Sequence, residues 1–456
     1  MQRRTFLTAG VASALLGGTA KASGDNREAV AADVLAMWYR LALELVRHTP
    51  TYTPPVASRT LAYMGVAGFE ALASGDARLH SLTGQMKGLT ALPDRATGQG
   101  YDTAVILTAV MEGLIRDLFS NTGPTGQHAI QTLSARLAEQ AAAGIAADVV
   151  AASRSYGATL AAAVLDWARS DGGAVIDNMG FPATYTLNAA PGHWMPTSKI
   201  VLQQAPLLPD WGKNRPFAMP AGDTCTLPPP TEYSEDPASD FYAEAMEVYT
   251  TSGSLTDEQK QITRFWSDDA MLSYTPPGHW IAIMTQVAVE KGLDLTAQVE
   301  ALARMGVAMA DAFIGCWAAK YQYDLVRPIS YIKQVIDPKW EPLLITPPFP
   351  EYPSGHSTQS AAAAWPTDPA SRISAALSLI PRPRPRQSGH RHGVRRAREV
   401  LRCVRSRWRR ESRACAGWRQ TGSAGRGCRK QGNPALPATA RDGGGSGRTA
   451  PCHSLR

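Results

Sequence analysis

Seven stretches of this chain space their apolar residues as helices do, and strand-like alternation is scarce. They cover 28–48, 56–74, 101–120, 127–170, 238–251, 255–272 and 281–320, and they are rich in Ala, Leu, Met and Glu with little Gly or Pro. Between them, 50–55, 180–235 and 337–353 are rich in Pro, Gly or aromatic residues and read as loops. This pattern confines the chain to an all-α helical bundle with one long irregular insertion near 175–237. No repeat of 20–50 residues suggests a solenoid. Apolar residues make up 44% of the 456, enough to bury a core and too many for a disordered chain.

The formal charge of +7 invites a nucleic-acid reading, but the charge is unevenly placed. Residues 366–456 hold 21 Lys and Arg against 4 Asp and Glu, whereas residues 1–365 hold 25 against 35. The body is acidic, and export argues against a nucleic-acid partner. Of the 21 cations in the tail 20 are Arg, and the tail also holds four of the six cysteines and the run Pro381-Arg382-Pro383-Arg384-Pro385-Arg386. Three readings apply to 366–456: a basic binding tail, ordinary disorder, or the product of a reading-frame shift near residue 366. Arg, Pro, Gly, Ala and Cys without periodicity are what GC-rich DNA gives out of frame, and the frameshift is the expectation adopted. Only Cys225 and Cys316 remain in the body, so its stability does not call for disulfides.

Residues 1–22 read as an export signal. Arg3 and Arg4 precede Thr5-Phe6-Leu7, a modest apolar run reaches Ala20, and Ala20-Lys21-Ala22 has the small-x-small pattern of a cleavage site. The paired arginines resemble a twin-arginine signal. The run is too short and too Gly-rich to span a bilayer well, and no stable membrane span is expected further on. The expected organisation is therefore a signal at 1–22, a helical domain at 23–365 that is C-terminally incomplete, and an aberrant basic tail at 366–456.

Two elements carry chemistry. In the helix through 295–320, Leu295, Val299, Leu302, Met309, Phe313 and Cys316 form one apolar stripe, and Lys320 falls on it four residues after Cys316. Arg327 follows seven residues later, and Pro328 ends the element. Two cations converging at the inner end of a helix repel each other and require an anionic partner. Arg offers a planar fork suited to oxyanions, and Lys a point charge. The second element is Pro353-Ser354-Gly355-His356-Ser357-Thr358, followed by an alanine run. This places Ser354, Gly355 and His356 at a helix N-terminus, where free N–H groups favour an anion. His356 is suited to acid–base work near neutral pH. The repeated Pro191-Gly192-His193-Trp194 and Pro277-Gly278-His279-Trp280 read as packed loops, since His-x3-5-His and Cys-x2-Cys partners are missing from the body.

Taken together, Lys320-x6-Arg327-Pro328 and Pro353-Ser354-Gly355-His356 resemble the first two signature motifs of the vanadium-dependent haloperoxidase and type 2 phosphatidic acid phosphatase superfamily. Gly192-His193-Trp194, Leu208-Pro209-Asp210-Trp211-Gly212, Arg215-Pro216-Phe217 and Thr275-Pro276-Pro277-Gly278-His279-Trp280 resemble its exported bacterial haloperoxidase-like branch. The resemblance covers roughly residues 28–365. It implies an all-α fold with an oxyanion site at the end of a four-helix core. It also implies that Lys320, Arg327, Ser354 and Gly355 bind the oxygens of vanadate or phosphate and that His356 is the acid–base group.

The family's third motif, Ser-Arg-x3-Gly-x-His, is matched in spacing by Ser412-Arg413-Ala414-Cys415-Ala416-Gly417-Trp418-Arg419. That match adds Arg413 to the oxyanion ligands but puts Arg419 where the histidine belongs, so no metal-ligating residue is assigned. An arginine cannot deprotonate to ligate a metal or attack phosphorus. The resemblance implies an enzyme that uses vanadate and oxidises a halide with hydrogen peroxide. Two alternatives stay open: an acid phosphatase that hydrolyses phosphate monoesters without a cofactor, and an inactive oxyanion-binding protein.

Overall fold

The computed structural model describes residues 24–176, 185–197, 205–224 and 227–364. The signal at 1–22, the tail at 366–456 with Arg413 and Arg419, and Cys225 lie outside the described residues. Among the described residues twelve α-helical segments run in order: α1 (Gly24–His48), α2 (Pro54–Ala73), α3 (Thr103–Leu118), α4 (Pro124–Ala142), α5 (Ala147–Arg169), α6 (Gly173–Ile176), α7 (Asp240–Gly253), α8 (Asp257–Ser267), α9 (Thr275–Glu290), α10 (Leu295–Tyr323), α11 (Pro328–Tyr331) and α12 (Gly355–Ala363). No strand occurs among the described residues, and the fold is all-α.

The centre is the pair α2 and α10. Nearly every residue from Pro55 to Leu72 is buried, the mark of a helix wrapped by protein on all sides. Two glycines set the crossing. A Cβ on Gly65 would stand 2.8 Å from Ala303 Cα, and one on Gly306 would stand 2.9 Å from Ala62 Cα. The backbones therefore touch, and the register makes the two helices antiparallel. Gly113 against Ala161 and Gly157 against Ala109 bring α3 and α5 together in the same way, there in parallel, with α4 as the return.

Ionic and capping contacts hold the irregular segments to this core. Asp311, buried in α10, accepts the N–H groups of Phe217, Ala218 and Met219 at 2.7, 2.9 and 2.9 Å. Asp171 accepts Arg59 Nε and the Tyr63 hydroxyl at 2.7 Å each, so the turn after α5 is locked to α2. Thr256 and Gln259 form a complete capping box at the start of α8.

Several boundaries differ from the sequence reading. The stretch 127–170 is two helices, parted at Gly144 with φ +74°. The stretch 281–320 is parted at Gly292 with φ +57°, and Asp294 then caps α10 through Ala297 N at 2.7 Å. The stretch 255–272 ends at Ser267, where Asp268 turns left-handed with φ +49°. Pro277-Gly278-His279-Trp280 is not a loop: it lies in the first turns of α9, where the prolines fit because early helical N–H groups have no intrahelical acceptor. The stripe on α10 is buried throughout, but so are Ala301, Ala303, Met305 and Val307, which makes α10 a core helix rather than an amphipathic one. It is long and apolar enough to cross a membrane, yet 78% of its most apolar window is buried inside the protein, the setting of a core helix.

Candidate functional site

Lys320 sits in the last turn of α10 and is 1% exposed. Its ammonium donates to the carbonyls of Pro350 and Glu351 at 2.8 and 3.0 Å. An ammonium has three donors, so one proton remains beyond these two. Burial pushes the Lys320 ammonium down to about 8; Arg327 pushes the same way, while Cys316 and Glu351 oppose it.

Past Lys320 the helix stops at the left-handed Asp324, with φ +45° and its N–H on Lys320 O. The chain is extended at Arg327, φ −89° and ψ 151°, as a residue before proline should be. Arg327 Nη1 donates to Phe349 O at 2.9 Å, and Nη2 pairs with Glu351 at 3.1 Å. Its Nε is buried without a partner. The two cations thus converge on one short segment, 349–351. The anionic partner demanded by their repulsion is Glu351 for Arg327, whereas Lys320 is held by carbonyl dipoles.

The same segment leads into α12. Ser354 is the N-cap and accepts Ser357 N at 3.2 Å, as its place before an alanine run predicts. Cys316 Sγ contacts Pro353 O at 3.8 Å and ties the loop to α10. A Cβ on Gly355 would make only ordinary contacts with Trp317 and Phe313, at 3.7 and 3.9 Å. Protein packing alone does not require glycine there. His356 is exposed and turned toward another element: its Nε2 lies 3.1 Å from the carbonyl of Ser267, at the end of α8.

The structure therefore brings Lys320, Arg327, Ser354 and Gly355 to one end of α10 and points His356 toward α8. Sequence reasoning missed Phe349 and Glu351, which sit among prolines in a segment read only as loop. It also missed Asp268 and Asp324, whose left-handed turns have no glycine to announce them. The donor set suits an oxyanion. It includes a surplus ammonium proton, an orphaned guanidinium Nε and a helix N-terminus, with Glu351 as an anionic neighbour. Among the described residues no three His, Cys, Asp or Glu side chains gather as a metal site.

This fold and these motifs define a class. A family profile described as the VCPO second helical-bundle domain matches residues 300–370. Those residues span most of α10, both cations and α12. The profile match and the shared fold support the vanadium haloperoxidase and type 2 phosphatidic acid phosphatase-like superfamily. Among solved structures it is similar to the first bacterial vanadium-dependent iodoperoxidase, with TM-score 0.67 and 28% identity over 81% of this chain and 96% of that one. The holo form of a bacterial vanadium-dependent chloroperoxidase shares the fold at TM-score 0.53 and 14% identity, covering 70% of this chain and 77% of that one. Its apo form does so at TM-score 0.51 and 14% identity, covering 69% and 77%. No curated protein matches the sequence.

Proposed function

We propose that the chain is an exported, vanadate-dependent haloperoxidase-like enzyme that oxidises a halide with hydrogen peroxide. One observation carries the reading: Lys320 and Arg327 converge at the end of α10, beside the N-terminus of α12, with Arg327 Nε buried and unpartnered. The likeness to a bacterial iodoperoxidase over most of both chains supports the halide over a phosphate ester. Export rests on Arg3, Arg4 and the apolar run to Ala20.

In this reading Lys320 and Arg327 would hold oxygens of the oxyanion and neutralise its charge. Ser354 offers its hydroxyl, and Gly355 its backbone N–H at the positive end of α12. Vanadate, when bound, supplies the Lewis acidity that activates peroxide toward halide. His356 would move the proton: with Nε2–H donated to Ser267 O, the ring lone pair is on Nδ1, which would take a proton from hydrogen peroxide and give it to the oxygen that leaves as water.

A second reading is favoured by Arg419, which stands where the third motif has histidine. It is a protein that binds vanadate or phosphate without turnover. The deciding experiment measures halide-dependent peroxide consumption by the purified protein with and without vanadate, alongside phosphate-monoester hydrolysis. Vanadate-dependent halide oxidation is expected. Tight vanadate binding with neither activity replaces the first reading by the second. Phosphatase activity alone overturns both. Translating the other two frames after residue 366 tests the frameshift, which requires Ser-Arg-x3-Gly-x-His in one of them.

A further inference from the structure

The two Gly-His-Trp sequences have different backbones but place their histidines alike. His193 follows a turn at Gly192, φ +86°, while His279 is inside α9. His193 Nδ1 lies 3.1 Å from Asp324, the left-handed residue that ends α10. His279 Nδ1 lies 2.9 and 3.1 Å from the two oxygens of Asp268, the left-handed residue that ends α8. An ionised carboxylate only accepts, so in each pair Nδ1 carries the proton. Each histidine clamps a left-handed helix end, a conformation that costs most L-residues and that Asp adopts more readily when its side chain is hydrogen-bonded.

The second clamp reaches the site. Asp268 directly follows Ser267, whose carbonyl takes His356 Nε2 at 3.1 Å. The direction of that carbonyl is set by the peptide plane between Ser267 and Asp268, and so by the left-handed turn. The pair is well enclosed, with the Asp268 side chain 7% and the His279 side chain 17% exposed. The His279 ring stacks on Trp266 at 4.8 Å and 19°, gripping the residue before Ser267. Trp280 Nε1 donates to Ser360 Oγ at 3.0 Å and ties the start of α9 to α12, one turn beyond His356.

We propose that Asp268 and His279 are a positioning pair for His356. They fix the Ser267 carbonyl, which holds His356 in the Nε2–H tautomer and reserves Nδ1 for proton transfer. Neither residue touches the oxyanion; both act through Ser267 O. The proposal rests on the reading above, in which His356 moves a proton.

The test uses 15N-labelled full-length protein, in which ring nitrogen shifts show which atom of His356 is protonated, with His356→Ala assigning the signals. His279→Phe keeps a ring on Trp266 and removes the bond. Asp268→Gly keeps the left-handed turn and removes the carboxylate, and Asp268→Asn retains an acceptor. Wild type is expected to show one Nε2–H tautomer, His279→Phe and Asp268→Gly a mixture, and Asp268→Asn a return toward wild type. In vanadate-loaded protein the first two variants should lose about 10- to 100-fold in kcat, with KM for peroxide and vanadate affinity at wild-type level. An unchanged His356 spectrum in both folded variants overturns the positioning role, whatever the activity. A changed spectrum with unchanged turnover leaves the clamp standing and overturns the acid–base role of His356 instead.

Discussion

Lys320 and Arg327 meet over one aromatic ring: Nζ lies 4.9 Å and the guanidinium carbon 5.2 Å from the centroid of Phe349. They reach it from different backbone, one from the last turn of α10 and the other from an extended residue past its end. Two like charges share one aromatic ring, the carbonyls of 349–351 and the Glu351 carboxylate, which leaves a local positive excess that an oxyanion would neutralise.

Removing either cation should weaken oxyanion binding. Lys320→Met and Arg327→Ala are each expected to raise the dissociation constant for vanadate and phosphate about 10- to 100-fold, from about 1.5–3 kcal/mol per charged hydrogen bond. Isothermal titration with each anion measures this. Unchanged binding in both variants removes the site from α10.

Oxyanion affinity should fall as pH rises through about 8, because the Lys320 ammonium loses its charge there. Lys320→Arg keeps its charge and should flatten this part of the profile. Without an oxyanion the sign for folding is the opposite. Between about 8 and the ordinary 10.5, the unfolded chain binds more protons at this lysine than the folded one. Stability from Lys320 therefore rises with pH across that window. Denaturant titrations of wild type and Lys320→Met, compared at both ends of it, read the difference.

His356→Ala should separate turnover from binding. An acid–base group contributes about 10²- to 10⁴-fold to rate, so kcat should fall by that order while vanadate affinity holds. Equal losses in kcat and in vanadate affinity would mark His356 as a ligand instead.

Asp311→Ala should unfold the protein at lower temperature. The substitution leaves the N–H groups of Phe217, Ala218 and Met219 without their acceptor. The expected loss is about 3 kcal/mol or more, at about 1–3 kcal/mol for each buried group left unpaired. Asp311→Asn, which keeps one carbonyl oxygen, should lose less. Calorimetry of both variants reports it.

The burial of Lys320 was legible because helical phase is a local property: four residues after Cys316 on an apolar stripe is inside. The N-cap role of Ser354 was legible for the same reason. The helix breaks at Gly144 and Gly292 were hidden, since apolar period and alanine content resume on both sides of each. The prolines at 276 and 277 did announce a helix start, but the Gly-His-Trp echo drew the reading toward a turn. Partners at long separation left no trace: His193 finds Asp324 131 residues away, and Arg327 finds Phe349 22 away. No periodicity encodes which loop folds over a helix end.

The glycine contacts between α2 and α10 bear on how tolerant this site is to change. Gly65 and Gly306 put main chain against main chain, so the spacing of the two helices is set by atoms every residue possesses. Side chains that drift in size elsewhere in the core have no lever on that spacing. The anchoring point of α10 thus behaves like a machined reference surface, and the cations at its far end inherit their position from it. A methyl group at Gly306, about four turns from Lys320, would tilt that reference and misplace the cations without touching either of them.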